Sequence, residues 1–571
     1  MGQIEVNKRN TMSRKGIIFG LILAFLLITS SLYFLFNPLS SHEKVDYFSG
    51  ENPVIFKGKQ EANAIIEKET VFLPVDFVKK YIDKSIFYDQ QSTSIIITTK
   101  DKVIQMPTES LTYFINQEPV ELQFPPLKDK DGKLYMSLNL ILDYYPIQYS
   151  ILPHTNAVKI DMDGDVLKMG MVTDQNAHKG KLRLRTKPSL RSPYTEDVNK
   201  NDSLFVEKQV EDYYFVRKEN GVAGFIQKNL ISIRQTNKVV IKHEQKEAVL
   251  TPIQGPIQLT WEAVYKRNPD PSKIGQMPGV NVVSPTWFKL DQTIGNVKNM
   301  GSLDYVNWAK ARGYQVWGLF SNDFNPTLTH EAFKDFQTRQ QIIRQLLLYS
   351  QNYQLNGINI DIENVQAEDG PLVTQFVREA TPYFHEAGLL VSMDITFITE
   401  GNWSAFYERE HLAEIVDYLI VMAYDEHWAS SPKAGSVASF PWVEENLQKL
   451  LKIVPPQKLI LGVPLYSRLW EQHADGKLNS KALSMDKVKE WLDQYQIQAS
   501  YDEDSGQNYA EYVDGNKGIT YKIWLEDDLS LQKRAGLAAK YNLAGIASWS
   551  RSFAAESAWT ALSLEKAVAK K

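Results

Sequence analysis

Leu355-Asn-Gly-Ile-Asn-Ile-Asp-Ile-Glu-Asn-Val365 is the stretch from which the rest of the chain can be read. Successive residues of a strand point to opposite sides, so Asn359, Asp361 and Glu363 share one face while Ile358, Ile360 and Ile362 take the other. The three polar groups then stand about 7 Å apart in a row. An apolar back with an acidic front predicts a strand that faces a site. Two close acids suit proton transfer, because charge on one makes its neighbour hold a proton. Cleavage of a glycosidic bond requires such a pair. An edge strand with a solvated polar face is the competing reading, and the Gly-x-Asn-x-Asp-x-Glu order is far more specific than alternation alone.

Outward from this strand, from about Pro256 onward, apolar runs alternate with helical stretches, the pattern of an α/β barrel. Strands are expected at Val280 to Ser284, Gln315 to Phe320, Gly357 to Ile362, Leu390 to Ile395, Tyr418 to Ala423, Leu459 to Val463 and Gly545 to Ser548. An eighth is expected between Phe320 and Gly357. Trp287, Asp323, Glu363, Asp425 and Trp549 fall at or just past strand ends, where a parallel barrel keeps its chemistry. A longer insertion, roughly Trp470 to Asp528, separates the last two strands.

The Leu355–Val365 stretch resembles the Asp-Gly-x-Asp-x-Asp-x-Glu signature of family 18 glycoside hydrolases, the chitinase-like (β/α)8 TIM barrels. Asn356 and Asn359 replace the first two aspartates; Asp361 and Glu363 keep the other two. The Asn-Ile-Asp-Ile-Glu-Asn variant is similar to the branch that includes bacterial spore-cortex and cell-wall N-acetylglucosaminidases, and the insertion resembles the small α+β insertion of many members. The resemblance implies substrate-assisted retention, an exception to the two-carboxylate scheme. Glu363 would protonate the leaving oxygen, the sugar's 2-acetamido oxygen would close onto the anomeric carbon, and Glu363 would then deprotonate water. Asp361 would orient the acetamido N–H and stabilise its positive charge. Val421-Met-Ala-Tyr-Asp425 matches the Met-x-Tyr-Asp signature after the sixth strand. By that match Met422, Tyr424 and Asp425 are substrate-binding, Tyr424 donating to the acetamido oxygen. Asp425 either accepts from the sugar or holds Tyr424 and the acetamide in place. Ala547-Ser-Trp-Ser resembles the end of the eighth strand, which makes Trp549 the floor beneath the reacting sugar. Gly462-Val-Pro-Leu-Tyr-Ser-Arg-Leu-Trp fits the seventh, with Tyr466 and Arg468 as further cleft candidates. Asn359, also counted in the substrate-binding set, can hydrogen-bond Asp361 but cannot exchange charge with it. That predicts a narrower acidic limb of the pH profile.

The whole chain, 571 residues, is longer than one domain. Hydrophobic residues at 43%, charged residues at 23% and a formal net charge of -5 describe a globular protein with no basic surface for nucleic acid. The absence of cysteine excludes disulfides, Cys-ligated zinc and thiol catalysis. No phosphate-cradling loop, His-Glu-x-x-His or Gly-x-Ser-x-Gly occurs, so no metal and no organic cofactor is expected. A monomer is expected.

Gly16 to Phe36 carries no charge and as a helix is about 31 Å long, enough to cross a bilayer core. Lys8, Arg9, Arg14 and Lys15 precede it, which places residues 1–15 in the cytoplasm and everything after residue 36 outside a Gram-positive-type cell membrane. A cleavable signal peptide competes; the run is longer than a usual signal core and no small-x-small site precedes Asn37-Pro38. Residues 45–165 hold a weak repeat, Val71 to Ile82 against Leu134 to Tyr145, each read as strand then short helix. This α+β stalk resembles the copper-amine-oxidase N-terminal-like domain, without a metal set; His154 reads as a surface residue. Residues 170–235 alternate in short runs split by turns, a small β-barrel similar to bacterial SH3-like domains, acting either as a wall-peptide binder or as a spacer. Gln235 to Gly255 suits a linker, and residues 256–571 form the barrel. Facing the wall, an enzyme acting on N-acetylglucosamine-containing peptidoglycan is the first reading. Chitin is the second substrate, and a glycan-binding pseudoenzyme or a structural wall protein are the non-catalytic readings.

Overall fold

The computed structural model describes residues 14–36, 40–68, 70–108, 110–122, 125–173, 177, 179–242, 248–251 and 253–564. Residues 1–13 of the expected cytoplasmic tail lie outside them. Arg14–Phe36 forms one 23-residue helix with Ile17, Phe19, Leu21, Phe25 and Leu27 exposed. Among the described residues no helix is long and apolar enough to cross a membrane; in this helix side chains are described over residues 16–31.

The chain divides into two compact units. Residues 40–84 and 126–244 make the first and residues 85–125 with 245–564 the second. In the first unit the two copies of the repeat fold alike. Strand Thr70–Pro74 runs into helix Val75–Tyr81, and strand Lys133–Ser137 into helix Leu138–Leu142. The two strands pair with each other antiparallel, Met136 opposite Leu73. Downstream, Val166–Lys238 contributes a seven-stranded antiparallel sheet around Val172, Leu184, Leu204, Val216 and Ile226.

The second unit is a closed barrel. Its eight parallel strands are β1 (Ile257–Glu262), β2 (Val282–Pro285), β3 (Gln315–Ser321), β4 (Gly357–Asp361), β5 (Leu390–Thr396), β6 (Tyr418–Met422), β7 (Leu459–Pro464) and β8 (Gly545–Trp549). Each pairs with its neighbours in order, and β8 pairs with β1 to close the ring. Parallel strands need crossover connections, and long helices such as Phe336–Tyr353 and Gly370–Glu386 supply them. The expected strand between Phe320 and Gly357 is absent. Helices Pro326–Phe333 and Phe336–Tyr353 occupy that segment, and the missing strand is β1, ahead of all the others. Its alternation, Ile257-Gln-Leu-Thr-Trp-Glu, looks half-solvated, yet all six residues are buried. Ile257, Leu259 and Trp261 line the interior with Trp317, Leu319 and Ile420. On the other face Gln258 donates to the Leu562 carbonyl (2.8 Å), and Glu262 is paired with Arg551. Trp287 sits in the core with its indole donating to Asn268 (2.6 Å), away from the rim chemistry it was expected to join.

Two additions flank the barrel. Residues 466–524, between β7 and β8, form a five-stranded antiparallel sheet with helix Met485–Tyr495. Residues 87–121 form a five-stranded meander whose Ile96 and Val103 join the barrel's outer core. Fully buried Arg339, on a barrel helix, ties the meander down. It donates to Asp89 (2.9 Å) and to Glu379 (2.8 Å), both also fully buried.

Candidate active site

β4 delivers its polar residues to the mouth because Ile358, Ile360 and Ile362 are fully buried in the core between strands and helices. That leaves Asn359 and Asp361 pointing inward, with Glu363 two residues past the strand end. Asn356, before the strand, hydrogen-bonds β3 backbone at Val316 and is structural.

Asn359 is fully buried below the acids. It accepts from the Trp261 indole (2.9 Å) and the Ser284 hydroxyl (3.0 Å) and donates to Asp394 Oδ1 (2.8 Å). Expected to bond Asp361 and to touch substrate, it instead spends its amide on these three groups.

Asp361 and Glu363 are half-buried and share a hydrogen bond. Burial pushes the Asp361 carboxyl up to about 7, against the pull of that bond and of Lys289. Glu363 lies well above the carboxylate range, first from burial, then from the negative charges of Asp361, Asp394 and Asp425. A carboxyl that holds its proton more tightly than usual beside another acid is what a general acid needs. The Glu363 backbone is clamped. Its N–H donates to Asn322 Oδ1 (3.1 Å) and its carbonyl accepts from Asn322 Nδ2 (2.7 Å), the same amide group reaching Thr329 (2.8 Å). The Tyr407 hydroxyl secures the preceding Ile362 carbonyl (2.8 Å).

The other expected residues gather around this pair. Met422 ends β6. Tyr424, just beyond, is close enough to Asp394, Glu363 and Asp361 that their charge adds to burial in raising its phenol well above its ordinary value. Asp425, in a left-handed backbone conformation (φ 58°), accepts from the Tyr466 hydroxyl (2.6 Å) and Arg468 Nη2 (3.2 Å). Tyr466 and Arg468 are themselves buried, so they position Asp425. Trp549 packs on Trp261 with centroids 6.0 Å apart. Asp323 forms an ion pair with Lys289 (2.7 Å).

Asn322, Asp394, Tyr407 and two rim aromatics were not anticipated. A lone carboxylate inside the apolar Leu390-Val-Ser-Met-Asp-Ile run was a readable signal for Asp394; Asn322 and Tyr407 carry none. Phe324 and Trp403 stand at the mouth 49% and 51% exposed, their rings 6.0 Å apart.

Residues 317–554 match the family described as Glycosyl hydrolases family 18. The barrel is a glycosyl hydrolase family 18 domain. The match opens within β3, so β1 and β2 complete the family 18 barrel ahead of it. Residues 53–160 match the Copper amine oxidase N-terminal domain. The chain is 25% identical over 295 residues to an uncharacterized glycosylase, YvbX, of Bacillus subtilis, covering 50% of this chain and 84% of the relative. It is 24% identical over 261 residues to the cortical fragment-lytic enzyme of Bacillus subtilis, covering 45% of this chain and 60% of that one. A chitinase structure from Chromobacterium violaceum aligns at 21% identity with a TM-score of 0.49, over 54% of this chain and 98% of that one. By sequence the family 18 domain is a glycosidase domain related to cortical fragment-lytic enzymes and, at 29% identity over 157 residues (25% of this chain, 32% of the relative), to a probable chitinase of Drosophila melanogaster.

Proposed function

We propose that this protein hydrolyses β-linked N-acetylglucosamine glycans of peptidoglycan by substrate-assisted retention. The observation that carries the proposal is the hydrogen-bonded Asp361–Glu363 pair at the C-terminal mouth of the barrel, where burial and the neighbouring acids hold the Glu363 carboxyl well above the usual carboxylate range. Glu363 gives that proton to the leaving oxygen. The 2-acetamido oxygen of the same sugar attacks the anomeric carbon as the bond breaks. Asp361, as carboxylate, accepts the acetamido N–H and stabilises the charge that develops there. Glu363, now ionised, takes a proton from the water that opens the ring, and retention follows from two inversions. Tyr424 donates to the acetamido oxygen, Asp425 positions it with Tyr466 and Arg468, Trp549 and Met422 form the floor, and Phe324 with Trp403 offers a stacking surface to the glycan.

Peptidoglycan is favoured over chitin by the cortical fragment-lytic relative and by what precedes the barrel. A basic N-terminus followed by an uncharged helical run suits an anchor in the cell membrane with the barrel outside, and the Val166–Lys238 sheet suits an SH3-like module facing the wall. The soluble ectodomain, incubated with purified peptidoglycan and with a chitin oligosaccharide, should release reducing N-acetylglucosamine termini from peptidoglycan, identified by mass spectrometry after reduction. Glu363→Gln should lower turnover at least about 10²-fold while the protein stays folded. Equal activity in the variant refutes the mechanism, and turnover of the chitin oligosaccharide alone refutes the substrate.

A further inference from the structure

Asp394 is the acid that the motif reading leaves without a role. It lies on β5, 1% exposed, between the buried residues Met393 and Ile395. β4 and β5 pair Asn359 with Ser392 and Ile360 with Met393, so Asp361 and Asp394 occupy the next rung of neighbouring parallel strands. Side chains on one rung project the same way from strands about 4.8 Å apart. Asp394 Oδ1 takes the Asn359 amide (2.8 Å), while Asp361 Oδ1 is buried with no hydrogen-bond donor.

The charged and titratable groups around this rung are mostly acidic. Asp361 and Glu363 come from β4 and its end, and Tyr424 and Asp425 from beyond β6. Past β5, Tyr407 donates to the Ile362 carbonyl, and Arg409 spends its guanidinium on the Thr396, Phe397, Ser404 and Tyr407 carbonyls and the Ser404 hydroxyl. Lys289 acts on Asp361 and is itself paired with Asp323 (2.7 Å). Among the described residues no cation pairs with Asp394, and burial with the charge of Asp361 raises its carboxyl well above the ordinary range, which favours the protonated form.

We infer that Asp394 is the proton partner of Asp361, supplying from β5 the carboxyl that a second acid at position 359 would supply from β4. This rests on the glycosidase reading above. The Asp361–Asp394 pair holds one proton. When an acetamido N–H reaches Asp361, that proton sits on Asp394, and Asp361 faces the substrate as carboxylate. No proton is exchanged with solvent, and on product release the pair is as it began. Asn359 fits this division: its amide N–H supports Asp394 from below without adding a third negative charge. Asp394 is therefore a positioning residue, acting through Asp361.

The test is Asp394→Asn in the full chain, with the swapped double variant Asn359→Asp/Asp394→Asn. Without its partner Asp361 must lose its proton to solvent, so the acidic limb of kcat/KM should move up by about one pH unit, roughly tenfold lower activity near pH 5, with the basic limb in place. The swap should return the limb toward the parent's position, which a merely structural loss would not allow. Independently of turnover, the infrared difference between parent and Asp394→Asn near pH 6 should contain the carbonyl band of a protonated carboxylic acid. A variant profile that superimposes in shape on the parent's, or no such band, overturns the inference. A parent that shows the band but cleaves no glycan overturns the hydrolase reading and leaves the proton on Asp394 established.

Discussion

Replacing Asn322 with alanine tests whether the proton donor is held by its backbone as firmly as by its neighbours. The Asn322 side chain is 1% exposed and makes three bonds that end on Glu363 or on Thr329, at 2.7, 2.8 and 3.1 Å, with a fourth weaker one from the Phe324 N–H at 3.3 Å. At about 1 kcal/mol net for each of the three stronger bonds, alanine should cost about 3 kcal/mol. In a unit of this size that lowers Tm by about 4 °C. The kinetic effect should be larger. Glu363 stands two residues beyond β4, and while Tyr407 holds the Ile362 carbonyl and Asn402 the Val365 N–H, the Glu363 N–H and carbonyl themselves rest on Asn322; a displacement on the order of 1 Å at the acid costs about 10²-fold in kcat. Asn322→Asp keeps an acceptor for the Glu363 N–H but loses both donated bonds, and should fall between alanine and parent. Thermal unfolding and steady-state kinetics on peptidoglycan measure both arms. An alanine variant with parental kcat refutes the clamp, even if its Tm falls.

Asp361→Asn should change how stability depends on pH. Burial raises the folded carboxyl to about 7, so the folded protein binds this proton more tightly than the unfolded chain does. The contribution is full below about pH 4 and is lost as pH rises through about 7. The variant should match the parent near pH 4 and exceed it near pH 8 by an amount on the order of a few kcal/mol; a pH-independent gap in thermal melts contradicts this. Trp403→Ala should raise KM for long glycans about fivefold to tenfold with kcat little changed, since an aromatic face is worth about 1 kcal/mol; an unchanged KM removes the rim aromatics from the binding surface. Arg339→Met leaves Asp89 and Glu379 buried without their cation and should cost about 3 to 5 kcal/mol, whereas Asp89→Asn/Arg339→Met/Glu379→Gln should recover most of it. Equal melting temperatures for the single and triple variants would show that the charges are not what holds the meander.

What could be read from sequence was whatever a short period encodes. The β4 alternation announced both the strand and its two acids, and apolar runs located seven of the eight barrel strands. β1 escaped because its polar face is buried and satisfied by groups 304 and 289 residues away, Leu562 and Arg551. Asn359 was correctly seen as unable to carry charge, but its partner depends on strand register, which places Asp394 and not Asp361 against its amide. The meander of residues 87–121 shows ordinary strand alternation, and nothing local says that its core is completed by helices far along the chain.

That meander sets the order in which the protein can be built. Asp89 leaves the ribosome 250 residues before Arg339, so a nascent chain carries an apolar sheet and an unmatched acid until the barrel helices emerge. The first unit is likewise interrupted, since its strand Thr70–Pro74 awaits Lys133–Ser137. The first unit has all its residues once position 244 has emerged, whereas the second cannot mature until its barrel joins the meander made before it. A shortened protein that starts at the linker would lack the sheet packed on its barrel helices and expose Arg339, so any expression boundary for the hydrolase belongs ahead of Ser85.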